Sequence, residues 1–181
     1  MQKIILIIIL SILFQTVAAQ QKYFTNKGYI SFFSHTAVED IKAVNSQVLS
    51  IIDFESGEIA ISILMKSFNF EKALMQEHFN ENYVESNKYP KAIFSGKILN
   101  YENILNREQS IAEIQGELTI KDVTKEVFLE SKVQWETDKI TLKGKFLVTV
   151  ADYNIKIPAI VRRNIAEKVE VAYNLIHEPY K

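Results

Sequence analysis

One feature limits this chain more than any other. Apolar and polar residues alternate strictly through most of its length, the mark of strands with one buried and one solvated face. Val127, Leu129, Val133 and Trp135 alternate with Glu126, Glu130, Lys132 and Gln134, with only Phe128 and Ser131 out of step. A polar turn at residues 136–139 follows, and then Ile140, Leu142, Gly144, Phe146, Val148 and Val150 alternate with Thr141, Lys143, Lys145 and Thr149. Two such segments around so short a turn predict an antiparallel hairpin.

The same period recurs on both sides. Ile114, Gly116, Leu118 and Ile120 alternate with Glu113, Gln115, Glu117 and Thr119, and Asp122-Val123-Thr124 turns the chain into the next strand. Upstream come Ala92, Phe94, Gly96 and Ile98, then Ile59, Ile61, Ile63 and Met65, with a strand at residues 48–54 joined through a turn at 55–58. A short strand at residues 29–33 and a last one carrying Val169, Val171, Tyr173 and Leu175 bring the count to eight. One-sided strands are an antiparallel habit, so the expectation is a mainly β fold, a sandwich or a closed barrel. Closure removes exposed edges, and an eight-stranded barrel either fills its interior with side chains or holds one small ligand. The inward set mixes large residues (Phe94, Trp135, Phe146, Tyr173) with small ones (Gly96, Gly116, Ser131, Gly144). That pattern fits a packed core and a lumen equally well.

Three stretches break the alternation. Residues 70–86, FEKALMQEHFNENYVES, are dense in helix formers. Helical spacing puts Phe70, Ala73 and Leu74 on one apolar face and Met75, Phe79 and Tyr83 on a second, which suggests a segment wedged over one end of a barrel. His78 and Glu81 fall between the faces, and His78 reads as incidental there. Residues 158–168 open on Pro158, suited to a first helical position, and predict a second helix. A shorter helical turn is expected at residues 38–44.

Residues 4–14 form an apolar run broken only by Ser11, after Lys3 and before the small residues Val17-Ala18-Ala19. This predicts a secretory signal peptide at residues 1–19, cleaved after Ala19, and a single domain at 20–181. The run is shorter than the roughly 20 apolar residues that span a bilayer. The chain has no cysteine, so its core alone must hold it. Its formal net charge is −1 with charges interspersed, which argues against a nucleic-acid footprint. There is no Gly-x-Ser-x-Gly elbow, no phosphate-cradling glycine loop and no His-Glu-x-x-His. The expectation is therefore a protein that is not an enzyme. The pairs His78/Glu81 and His35 with Glu39 and Asp40 are the nearest approaches to metal clusters, and no metal or other cofactor is expected.

Three segments resemble the YceI-like family of exported bacterial proteins, named for lipid and polyisoprenoid binding: SFNFEKALMQEHFNENYVESNKYPKAIFSGKI (67–98), IQGELTIKDVTKEV (114–127) and DYNIKIPAIVRRNIAEKVEV (152–171). The resemblance covers nearly all of the chain after the signal. It implies an eight-stranded antiparallel lipocalin-like barrel, one or two short helices closing an end, and an apolar lumen holding an isoprenoid or another amphiphile. It carries no catalytic signature.

Alternation then nominates Phe32, Phe94, Trp135, Phe146 and Tyr173 as lumen residues, with Leu74 and Met75 from the closing helix. Lys66, Arg162 and Arg163 are the candidates for a head group. The expected function is an exported carrier or reservoir, periplasmic or secreted and compatible with a stress-linked role, for a lipid such as an isoprenoid or quinone precursor. Transient membrane contact and a homodimer are compatible with it. The other class of function is a surface-interaction protein with a filled barrel and no lipid.

Overall fold

The computed structural model describes residues 22–105 and 107–180. The predicted signal peptide and its cleavage site after Ala19 lie outside these. Nine strands follow one another: β1 (Lys22–His35), β2 (Asp40–Asp53), β3 (Glu58–Leu64), β4 (Asn69–Phe70), β5 (Lys91–Ile98), β6 (Gln109–Ile120), β7 (Val123–Glu136), β8 (Lys139–Thr149) and β9 (Lys168–Pro179). The sheet runs β1-β9-β8-β7-β6-β5-β3-β2, and β1 pairs with β2 to close it. All these pairings are antiparallel. The expected eight-stranded barrel is thus present. β4 is a two-residue addition that pairs with Ala43 and Val44 of β2, continuing the flank that β3 leaves.

Turn chemistry fixes the register. Ile120 and Val123 face each other across a two-residue turn in which both Lys121 (φ 51°) and Asp122 (φ 57°) are left-handed. Two positive φ angles give a hairpin turn whose twist matches the strands. At the opposite end Gly57 (φ 76°) donates its N–H to the Asp53 carbonyl at 2.8 Å.

Three expectations need correction. The first strand is not confined to residues 29–33 but runs over Lys22–His35. Residues 38–44 are not helical, because Ser34↔Ile41 and His35↔Asp40 pair into a hairpin. Its turn is held by the Thr36 hydroxyl, which accepts the Val38 and Glu39 N–H groups at 3.2 and 3.1 Å. Residues 158–168 contain only a three-residue 3-10 turn, Ala159–Val161. The chain cannot coil further there, since Ala166 donates its N–H to the Ser34 hydroxyl at 2.8 Å and β9 begins at Lys168.

The interior changes character along the barrel axis. At the lower end, Trp135, Phe54 and Tyr23 form a triangle of rings with centroids 5.5–5.7 Å apart. The Trp135 indole donates to the Ile104 carbonyl at 2.9 Å, tying the triangle to the short helix α1 (Tyr101–Ile104). Ile104, Ile140 and Ile98 are fully buried beside it. In the middle, Gly96 and Gly116 lie opposite each other beneath the Phe94 ring. A Cβ on either glycine would stand within 2.8 Å of Phe94 Cζ. Tyr173 likewise lies across Gly144, its strand partner. The small residues here make room for large rings, which fill most of this part of the barrel.

Candidate functional site

The upper end is different. It holds a cavity of about 330 Å³, and a second of about 50 Å³ lies deeper in the barrel. Ile30, Ile63, Leu118, Phe146 and Val171 line both, so this belt separates the two spaces. A site of roughly 300–1,000 Å³ is the usual size for a small-molecule pocket.

Four phenylalanines line one wall of the larger chamber. Phe32 on β1 lies 5.4 Å from Phe68, 5.6 Å from Phe70 and 5.5 Å from Phe79, ring centre to ring centre. Phe79 also meets Phe68 at 5.7 Å and Phe70 at 5.1 Å. Aromatic rings supply large rigid apolar area at offset or edge contacts of this length. Ile155, Ile157, Val161 and Ile165, from the connection between β8 and β9, line it as well.

Residues 73–83 form the cap. They comprise one short α-helix, Ala73–His78, followed by a π-helical turn, Phe79–Tyr83. Met75, His78, Phe79 and Tyr83 line the chamber. The wider π turn keeps Phe79 and Tyr83, four apart, on the side that Met75 starts. The second apolar face read from the sequence is absent: Ala73 is exposed and Leu74 is 61% exposed. A six-residue helix is too short to sustain two faces, and only one meets the barrel.

Two polar ties hold the cap in place. Glu39, at the end of the β1–β2 turn, accepts a bond from Lys72 Nζ at 3.0 Å on one oxygen and from Asn164 Nδ2 at 3.1 Å on the other. These bonds, the Lys72 bond first, hold the Glu39 carboxyl below the usual carboxylate pKa, so it is ionised at neutral pH. Lys121, in the β6–β7 turn, donates to the carbonyls of Tyr83 at 3.1 Å and Asn154 at 3.4 Å and pairs with Glu85. The Lys121 bond in turn holds the Glu85 pKa down. Both ties join the cap to the β8–β9 connection.

The predicted site residues separate into groups. Phe32, Met75 and Phe146 line the larger chamber. Phe94 and Tyr173, with Phe146, line the smaller one. The Tyr173 hydroxyl and the Ser131 hydroxyl are both buried without a well-formed hydrogen bond. Burial raises the Tyr173 pKa, and nearby Ser131 pulls it the other way. Trp135 faces inward but at the far end, so it closes the floor and lines neither cavity. Leu74 also lines neither, because it projects from the outer side of its helix.

The head-group candidates are likewise displaced. Lys66 is exposed and donates to Asn87 Oδ1 at 2.6 Å. Arg162 and Arg163 are exposed on the turn beside Asn164 and do not line the chamber. Its polar lining is instead Ser34, Glu39, His78 and Asn164. His78, read from sequence as incidental, is one of these four. Alternation could have found Phe68 and Phe70, two apart in SFNF. Nothing local marks Asn164, and Glu39, grouped in sequence with His35 and Asp40, meets it only through the fold. His35 instead bonds Asp40 at 2.6 Å on the surface.

A closed antiparallel barrel with a solid floor and an apolar chamber under a helical cap defines a calyx-shaped β-barrel protein. Within that class the assignment is specific: the YceI-like domain model matches residues 17–176, and the chain belongs to that family. Solved structures agree on the fold. The chain is similar to a polyisoprenoid-binding domain from Saccharophagus degradans implicated in plant cell wall breakdown, with a TM-score of 0.77 at 16% identity, covering 89% of this chain and 99% of that one. It is similar to Burkholderia cenocepacia BcnA, with a TM-score of 0.71 at 17% identity over 83% of this chain and 96% of that one. A Campylobacter jejuni YceI protein aligns with a TM-score of 0.57 at 17% identity, covering 87% and 86%. No curated relative matches the chain.

Proposed function

We propose that this protein binds an isoprenoid-like or other amphiphilic lipid in the upper chamber and serves as an exported carrier or reservoir, without catalytic activity. The observation that carries the reading is the chamber itself, about 330 Å³ and lined almost wholly by apolar side chains. An apolar cavity of about 150 Å³ accommodates benzene, so this one suits roughly a dozen heavy atoms. Each methylene withdrawn from water contributes about 0.8 kcal/mol, and ten of them supply ample affinity. A longer chain would need the deeper cavity to join the first, or would trail out of the mouth. The polyisoprenoid-binding relative supports a lipid as the ligand class.

The mouth also suits exchange with a membrane. Val38, Leu74 and Ile160 are 62%, 61% and 92% exposed. Each is the chain neighbour of a chamber-lining residue, Glu39, Met75 and Val161 respectively. Glu39 bonds draw the three segments together. Apolar tips with Arg162 and Arg163 beside them fit the interface of an anionic leaflet. A filled-barrel interaction protein accounts for the packed middle and floor but not for this chamber.

The test is native mass spectrometry of the protein purified gently from a bacterial host, followed by lipid extraction. A stoichiometric lipid adduct, released on denaturation, is the expected result. No co-purifying lipid, together with no binding of added amphiphiles, would sink the carrier reading.

A further inference from the structure

We infer that the chamber selects lipids whose head group donates hydrogen bonds and carries no negative charge, such as an amine or an alcohol, through the Glu39 carboxylate. The inference rests on the chamber being a lipid site and names the chemistry of its ligand.

The polar lining is small and its character is specific. Glu39 is the charged member, Ser34 and Asn164 are neutral, and His78 stands on the cap. Among the described residues, no lysine or arginine lines the chamber. Lys72 bonds Glu39 Oε1 at 3.0 Å, with its side chain 63% exposed while that of Glu39 is 25% exposed. Lys72 thus approaches from the solvent side.

The carboxylate keeps capacity for a ligand. Its two oxygens offer about four acceptor sites, and Lys72 and Asn164 occupy one on each oxygen. The Ser34 hydroxyl, 2% exposed, already accepts the Ala166 N–H at 2.8 Å. An amine or hydroxyl entering this corner therefore meets an acceptor that is ionised and held in place. A phosphate or carboxylate meets a like charge in an apolar enclosure, where electrostatic repulsion is stronger than in water. Lys72 is already engaged by Glu39, and Arg162 and Arg163 do not line the chamber.

Four probes with one twelve-carbon chain isolate the head group: dodecylamine, dodecanol, dodecanoate and dodecyl phosphate. Each is titrated below its micellar concentration into the full exported protein at pH 7, with calorimetry and native mass spectrometry as readouts. The amine and the alcohol are expected to bind at least tenfold more tightly than either anion. Glu39→Gln should weaken the amine about tenfold, leave the alcohol within threefold and strengthen dodecanoate. Lys72→Gln breaks the same tie but keeps the carboxylate, so it should preserve the amine preference. Melting curves confirm that both variants fold. Equal or tighter binding of the anions by the unmodified protein overturns the inference while leaving the carrier reading intact. So does loss of the preference in Lys72→Gln, which would assign the effect to mouth geometry. Binding of none of the four overturns both readings.

Discussion

The Glu39 carboxylate accepts the Asn164 amide at 3.1 Å, joining residues 125 apart in the chain. That bond and the Lys72 contact make one side chain the meeting point of the β1–β2 turn, the helical cap and the β8–β9 connection. The mouth is thus held by a few polar contacts, whereas the floor is held by packing.

Removing the tie should loosen the mouth alone. Asn164→Ala is expected to cost about 1 kcal/mol, as a partly solvated hydrogen bond to a charged group does, and to lower the melting temperature by roughly 2–4 °C for a domain of this size. Hydrogen exchange should accelerate at residues 159–165 and remain unchanged in β7. Uniform acceleration would show that the tie is global in effect.

Phe146 belongs to the belt between the two cavities. Phe146→Ala should merge them and cost about 3 kcal/mol, the usual scale for truncating a large apolar side chain in a core. The ligand profile should move toward longer chains, read as the mass of the extracted lipid or the chain-length optimum of added alcohols. An unchanged optimum in a folded variant would mean that Phe146 does not set the depth.

Trp135 offers the contrast. Trp135→Phe removes the indole bond to the Ile104 carbonyl and leaves that acceptor without its partner, a cost of about 1–3 kcal/mol. Lipid affinity should stay within twofold, because the residue lines neither cavity. A tenfold loss of affinity at normal stability would place the ligand at the floor.

His177 makes stability depend on pH. It is fully buried, its Nε2 lies 2.8 Å from the Ser50 hydroxyl, and its Nδ1 makes no well-formed hydrogen bond. Burial lowers its pKa from 6.5 to about 4. Between those values the unfolded chain binds the proton and the folded one does not, so unfolding is favoured as pH falls. This stability is complete above pH 6.5 and is lost progressively toward pH 4, about 3 kcal/mol in all at 1.36 kcal/mol per unit. Denaturant unfolding from pH 7 to 5 should show the decline, and His177→Leu with Ser50→Ala should flatten it. An equally steep decline in the double variant would assign the effect to other groups.

The exposed tips around the mouth predict a membrane phenotype. Replacing Val38, Leu74 and Ile160 together by serine should reduce binding to vesicles rich in anionic lipid at least fivefold, measured by flotation. The melting curve should hardly move, since all three side chains are mostly exposed. Undiminished flotation would remove this face as the docking end.

Much of the fold was legible because alternation reports directly on which face of a strand is buried. β6, β7, β8 and β9 follow it closely, and their hairpin turns fall where polar residues interrupt it. The errors have a common origin in long-range contacts. Residues 38–44 look helical until His35 and Asp40 pair across the hairpin, and residues 158–168 look helical until Ser34 captures Ala166. Phe32, Phe146 and Met75, nominated by face alone, line the chamber. Trp135 follows the same rule and lies at the floor, since facing inward says nothing about depth.

By itself, then, the sequence determined the class of structure: one-sided antiparallel strands, enough of them to close, and a cap where the period changes. Tertiary structure decided where the barrel is solid and where it is hollow. The physical reason is that a period of two encodes a side, while position along the axis is set by strand stagger on closure. Phe94 and Phe32 carry the same pattern, yet one covers Gly96 and Gly116 and the other walls the chamber. Glu39, Lys72 and Asn164 became one site only when closure brought three distant segments together.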